Sequence, residues 1–284
     1  MRNPIVSKTN DGRASKLSLM PFTVLGWPTV ATSWRIIETL ASHGADALEL
    51  GLPFSEPIAD GPVIQAAVTE TLHNGFTLAD GWQLVARTRA HFPDLPISVL
   101  VYTNTVLSMG VEAFYQKAAE VGINAVLVAD CPAETAQHLL IKAAHANGIS
   151  PIFLISPVTD PSRIDLMARC LQPQADRGAS FSYWYVVSRL GVTGVDTRYD
   201  AALADTLSRL KSISHLPAYV GFGISSPDSV HHMRQLGADG VIVGSKIIQT
   251  VREAMARGEA FEPALAQLMQ GLSKACQTAA SQHM

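Results

Sequence analysis

Cysteine is scarce in this sequence, and charge is thin. Three cysteines in 284 residues, Cys131, Cys170 and Cys276, are an odd number without metal-type spacing. Neither a disulfide framework nor a zinc site is expected, and all three read as free thiols. Charged residues make up 16% of the chain, below the roughly 25% of an average soluble protein. Lysine and arginine (21) do not outnumber aspartate and glutamate (24), so no basic surplus is left to neutralise phosphate backbones and nucleic acid is not an expected partner. No apolar run approaches the roughly 18 residues that suggest a membrane span. The polar opening over residues 1–16 lacks the apolar segment of a secretory signal, so a cytoplasmic protein without membrane contact is expected. The nine histidines are scattered without metal spacing, and His231-His232 read as a helix surface. Internal repeats and low-complexity segments are missing as well.

What the chain does have is apolar material, 48% of its residues, enough for a sizeable core. Short apolar or β-branched runs recur as eight strand candidates: residues 19–25, 47–50, 97–102, 125–129, 151–155, 181–187, 218–221 and 240–243. Helical periodicity fills the gaps at 33–42, 111–121, 133–146, 201–213 and 229–236. The gap after the second strand holds two helical stretches, 63–73 and 78–91, parted by Asn74-Gly75 with Thr77 as a cap. Continuous apolar strands alternating with helices predict an α/β fold, a closed (β/α)8 TIM barrel in one domain with extra helices. The expected divisions are an N-terminal segment 1–17, a barrel over 18–257, and a C-terminal helix and tail over 258–284. An open dinucleotide-binding sheet is disfavoured, because Gly26-Trp27-Pro28 after the first strand is not its glycine fingerprint. Residues 170–179 read as an exposed loop.

In such barrels reactive groups gather at the carboxyl ends of the strands. The second strand and its loop run Glu49-Leu-Gly-Leu-Pro-Phe-Ser-Glu-Pro-Ile-Ala-Asp60-Gly-Pro. If Leu48 and Leu50 pack outward, Glu49 points into the barrel, where lost hydration raises its pKa and suits it to exchange protons near neutrality. A structural ion pair with a buried arginine is the competing reading. Asp60 opens a second carboxylate to the same cavity, or else simply caps the helix starting near Pro62. Glycines and serines after the seventh and eighth strands, Gly221-Phe222-Gly223-Ile224-Ser225-Ser226 and Gly244-Ser245, suit a phosphate held on backbone N–H groups at a helix start. Two ordinary tight turns are the alternative. Ser188-Arg-Leu-Gly-Val-Thr193-Gly after the sixth strand reads as a lid over the barrel mouth. Phe22 and Tyr102 are aromatic walls for a planar substrate, or core.

These motifs, together with Val-Ala-Asp130 and Gly221-Phe-Gly-Ile-Ser-Ser-Pro, resemble the alpha-subunit family of tryptophan synthase in residue type, order and spacing over almost the whole chain. The resemblance implies retro-aldol cleavage of indole-3-glycerol phosphate to indole and glyceraldehyde 3-phosphate. It implies no metal or organic cofactor in this subunit, pyridoxal phosphate being expected only in a beta partner. By resemblance, Glu49 is the acid/base that protonates indole C3, and Asp60 hydrogen-bonds the indole N–H. Phe22, Leu100, Tyr102, Leu127 and Ala129 wall the indole pocket, Tyr185 lies beside the glycerol, and Thr193 orders the lid. Gly194, Phe222, Gly223, Gly244 and Ser245 hold the phosphate.

The resemblance also implies an α2β2 complex in which indole passes to a beta subunit for tryptophan biosynthesis. Two departures bear on that partner: Trp27 stands where the family has aspartate in Gly-Asp-Pro, and Glu56 where it has aspartate in Pro-Phe-Ser-Asp-Pro. Both are expected near the beta contact. They keep two alternatives open, a stand-alone indole-releasing lyase and a subunit that mainly activates its partner. Another phosphate-binding isomerase on the same barrel would leave Glu49 and Asp60 unexplained.

Overall fold

The computed structural model describes residues 16–176, 181–187, 197–221 and 223–277. In chain order the elements are β1 (Ser18–Val24), α1 (Val30–Ser42), β2 (Leu48–Gly51), α2 (Pro62–His73), α3 (Leu78–His91), β3 (Ile97–Val101), α4 (Thr103–Met109), α5 (Val111–Glu120) and β4 (Ala125–Val128). There follow α6 (Ala133–Leu139), α7 (Ile141–Ala146), β5 (Ser150–Ile152), β6 (Leu154–Ile155), α8 (Pro161–Asp176), β7 (Trp184–Val187), α9 (Thr197–Ile213) and β8 (Ala218–Gly221). The chain ends on α10 (Pro227–Gln235), β9 (Gly240–Val243), α11 (Ser245–Ala256) and α12 (Phe261–Gln277).

The strands form one sheet in the order β5-β4-β3-β2-β1-β9-β8-β7-β6, and the pairings are parallel. Its first and last members, β5 and β6, are separated only by Phe153, so a single interrupted strand closes the ring. The fold is the expected (β/α)8 TIM barrel, with the fifth strand, expected as one run over 151–155, divided in two. Parallel strands covered on both faces explain the continuous apolar runs: β1 to β4 are buried at every position.

Helices form where capping and apolar spacing agree. Thr29 caps α1 by accepting from the Thr32 N–H, and Ser33, Ile36, Ile37 and Leu40 make its buried stripe. Thr77 and Asp80 form a reciprocal capping box at the start of α3. The stretch read as an exposed loop is corrected in part. Residues 170–176 complete α8, because Cys170 and Leu171 extend the buried face of Ile164 and Met167 and are themselves buried. Residues 177–179 lie outside the described residues.

The helix α12 packs against α1, α10, α11 and β1. Its last turn receives the Leu17 N–H at 3.0 Å and the Arg234 guanidinium at 2.6 Å, both on the Cys276 carbonyl. Because Leu17 leads into β1, the last turn of this outer helix lies beside the amino end of that strand.

Candidate active site

Strand alternation turns Leu48 and Leu50 outward and Glu49 inward. Glu49 is paired in register with Phe22 on one side and Ser98 on the other, and it is 0% exposed. Among the described residues no cation pairs with it, so the structural ion pair is not what the fold builds there. Neither carboxylate oxygen has a well-formed hydrogen bond, although the Tyr185 phenol stands beside it. Burial, with the nearby Asp60 charge second, raises the Glu49 pKa from 4.5 to about 8, against a smaller opposing pull from Tyr185. At neutral pH this group holds its proton.

Asp60 does not cap a helix. Gly61 occupies the N-cap of α2 without any side-chain bond, and Pro62 opens the helix, which frees the carboxylate for another partner. That partner is Tyr102, whose hydroxyl donates to Asp60 Oδ2 at 2.9 Å and accepts from the Ala59 N–H at 3.2 Å. Phe54 stacks on the Tyr102 ring, with centroids 5.1 Å apart and planes 20° from parallel. The loop after β2 is therefore folded back over the end of β3. Burial raises the Asp60 pKa to about 6, and the Tyr102 bond restrains the rise. The two carboxylates thus sit in one electrostatic environment with different proton affinities, the arrangement that separates acid from base roles.

Phe22, Leu100, Leu127 and Tyr185 are buried and Ala129 is half-buried. They occupy inward positions on β1, β3, β4 and β7 or just beyond β4, the same parity as Glu49. Ring and glycine are matched in this interior. A Cβ on Gly51 would lie 2.8 Å from Phe22 Cζ, one on Gly221 would lie 2.6 Å from Tyr185 Cε1, and one on Gly240 would lie 2.5 Å from Tyr219 Cδ1. Real side chains do not tolerate such distances, so these glycines give the rings their places.

Gly223 follows β8 with φ of 78°, a left-handed conformation that glycine adopts without strain. Gly244 and Ser245 follow the adjacent β9, where Ser245 is the first residue of α11. The two small-residue loops therefore lie side by side at the carboxyl end, with backbone N–H groups of a helix start available to an anion. Thr193, Gly194 and Phe222, together with the rest of the lid over 188–194, lie outside the described residues.

Several contacts around the site were not legible in the sequence. Phe54 and Gly221 gain their roles from the Tyr102 and Tyr185 rings. Ser98 and Tyr183 share a buried bond, Ser98 Oγ to Tyr183 OH at 2.9 Å, whose only sequence signal is Tyr183 preceding Tyr185 by one strand period. Asp130 accepts from the Thr103 N–H and hydroxyl at 2.7 and 2.8 Å, fixing the start of α4. Trp27, expected near a partner contact, is 1% exposed. Its indole N–H donates to Glu70 at 2.8 Å and Arg252 binds the same carboxylate at 3.0 Å, so this side chain joins β1 to α2 and α11 instead of presenting a surface. Glu56 is exposed. Among the described residues no group of three metal-ligating side chains exists, and no helix is long and apolar enough to cross a membrane.

A parallel barrel with one buried and one half-buried carboxyl toward its carboxyl end, and glycine-rich loops after its last strands, defines an enzyme of the (β/α)8 class. A family model described as tryptophan synthase alpha chain matches residues 9–277. The chain belongs to the tryptophan synthase alpha chain family, whose members are lyases. It is 42% identical over 239 residues to the tryptophan synthase alpha chain of Methanothermobacter thermautotrophicus, covering 84% of each chain. The crystal structure of tryptophan synthase subunit alpha from Legionella pneumophila superposes with a TM-score of 0.80 at 29% identity, covering 92% of both chains. A chain of the tryptophan synthase α2β2 complex of Pyrococcus furiosus superposes with a TM-score of 0.78 at 30% identity, over 91% of this chain and 98% of that one.

Proposed function

We propose that this chain cleaves indole-3-glycerol phosphate to indole and glyceraldehyde 3-phosphate by a retro-aldol reaction. The observation that carries the reading is Glu49, a fully buried carboxyl on the inward face of β2 whose pKa burial and the nearby Asp60 charge raise to about 8. Glu49 gives its proton to indole C3, which turns the aromatic enamine into an indolenine and makes C3 a competent leaving carbon. The bond from C3 to the glycerol chain then breaks, its electrons restore the indole ring, and the hydroxyl on the departing carbon loses its proton to the Glu49 carboxylate as the aldehyde forms. Each proton and electron pair is accounted for within substrate and Glu49.

Asp60, ionised above about pH 6, accepts the indole N–H and offsets the positive charge that C3 protonation puts on the ring. Phe22, Leu100, Tyr102, Leu127 and Ala129 wall the indole, and Tyr185 stands beside the glycerol. Gly223, Gly244 and Ser245, with Gly194 and Phe222, bind the phosphate, and Thr193 orders a lid that excludes water. These steps need proton transfer only, so pyridoxal phosphate is assigned to the partner and not to this chain.

The partner in this reading is a tryptophan synthase beta subunit, in an α2β2 assembly within the cytoplasm. Exposed apolar side chains at the carboxyl end support that assignment: Ile58 (76%), Val158 (72%) and Leu107 (47%), on the loops after β2 and β6 and on α4. Docking there would place the second active site over the barrel mouth from which indole leaves. The test is indole release by the purified chain, alone and mixed with a beta subunit. Indole and glyceraldehyde 3-phosphate in stoichiometric yield, stimulated by the partner, are expected. A chain that consumes no indole-3-glycerol phosphate under either condition overturns the reading, and full activity without any association leaves a stand-alone lyase.

A further inference from the structure

Next to Glu49 lies a pair of hydroxyls that the proposed reaction does not yet use. Ser98 is the register partner of Glu49 on β3, and paired residues of parallel strands point to the same side of the sheet. Its Oγ meets the Tyr183 hydroxyl at 2.9 Å, a contact that crosses the barrel interior. Tyr183 precedes Tyr185 by one strand period, the two rings standing 6.4 Å apart, and Tyr183 packs at a tilt against Tyr219, with centroids 5.0 Å and planes 56° apart. The phenol is thus fixed by packing, and Ser98 and Tyr183 are both 0% exposed.

Two hydroxyls bring two protons to this pair, and the bond between them uses one. Whichever is the donor, one O–H is left over, in a water-poor interior where an unused donor is costly. The neighbouring Glu49 carboxylate has both oxygens without a well-formed bond. We propose that Ser98 and Tyr183 act as a positioning pair that hands their one spare O–H to Glu49 when it becomes a carboxylate. The pair would thereby hold the acid/base group at the height of the substrate ring and stabilise its ionised form midway through the reaction. The titratable groups facing Glu49 are Asp60, Tyr183 and Tyr185. Both tyrosines have pKa values well above the ordinary phenol value, burial being the main cause, so they remain donors throughout. This inference rests on the assignment of Glu49 as the acid/base.

The test is the double variant Ser98→Ala/Tyr183→Phe, which removes two oxygens and keeps both shapes, assayed for indole release against pH. A bond to a buried charge is worth enough for a loss in kcat of about tenfold or more, with KM for indole-3-glycerol phosphate within about twofold. Removing the donor disfavours the carboxylate, so the alkaline limb of the rate profile, where Glu49 loses its proton, should move to higher pH. A side chain that only supports the fold would leave that limb in place. Tyr183→Phe alone should show the same displacement at smaller size, and Ser98→Thr, which keeps a hydroxyl, should retain the wild-type profile. Wild-type kcat and limb in the double variant overturn the pairing while the lyase assignment stands. A wild-type chain without lyase activity overturns the assignment itself.

Discussion

Replacing Glu49 by glutamine should stabilise the protein in alkaline solution while removing its activity. The folded chamber holds this carboxyl protonated until about pH 8, against 4.5 when it is free in water. Below pH 4.5 both states carry the proton and the group does not bias folding. As pH rises from 4.5 towards 8, the unfolded chain ionises while the folded one does not, so stability falls across that window and levels off above it. At about 1.4 kcal/mol per pH unit, the full window corresponds to an upper limit of about 5 kcal/mol. Glutamine is close in shape and has no such titration. Urea unfolding of both proteins at pH 5 and pH 8.5 should show the gap between them widening in favour of Glu49→Gln, by up to about 4 kcal/mol. Indole release by the variant should fall by at least about a hundredfold, as expected when a general acid is lost. If the gap changes by less than about 1 kcal/mol between the two pH values, Glu49 is ionised in the folded protein and the protonation mechanism fails with it.

Tyr102→Phe removes the donor to Asp60, so the Asp60 pKa should climb further above about 6. Since Asp60 acts ionised, the acid limb of the rate profile should move to higher pH, with a loss of about 1 to 2 kcal/mol in transition-state stabilisation. Gly221→Ala places a Cβ 2.7 Å from the Tyr185 hydroxyl. The ring or β8 must yield, at a cost of about 1 to 3 kcal/mol in unfolding free energy, together with a drop in kcat; unchanged melting and turnover would show that the ring has room. Val158→Asp puts a charge at an apolar tip that is 72% exposed. It should weaken association with a beta subunit about tenfold or more in a titration by calorimetry, with indole release by the isolated chain unaffected.

The barrel was legible because its signal is local and repeated: apolar runs with helical stretches between them. Glu49 was legible for the same reason, since an acidic residue between Leu48 and Leu50 breaks a continuous apolar run and alternation gives its direction. The role of Asp60 was not, because Asp-Gly-Pro ahead of a helix suits a cap equally well. What decides between the two readings is Tyr102, forty-two positions away, and the register of β3 against β2. The helix α4 was missed because its start is fixed by Asp130 from the next strand's loop. The end of α8 was missed because polar residues around Pro173 hide the buried edge of Cys170 and Leu171. The inward turn of Trp27 onto Glu70 was not legible either, because its partner lies forty-three positions away on α2.

The facing of Phe22, Tyr185 and Tyr219 by Gly51, Gly221 and Gly240 bears on how this pocket can be redesigned. Each couple divides a fixed volume between its two members, so enlarging one without trimming the other creates a collision, and trimming one alone leaves a hole. Single-site mutational scans will score all six positions as intolerant. Combinatorial libraries that exchange bulk across a couple offer the open route to an altered aromatic specificity.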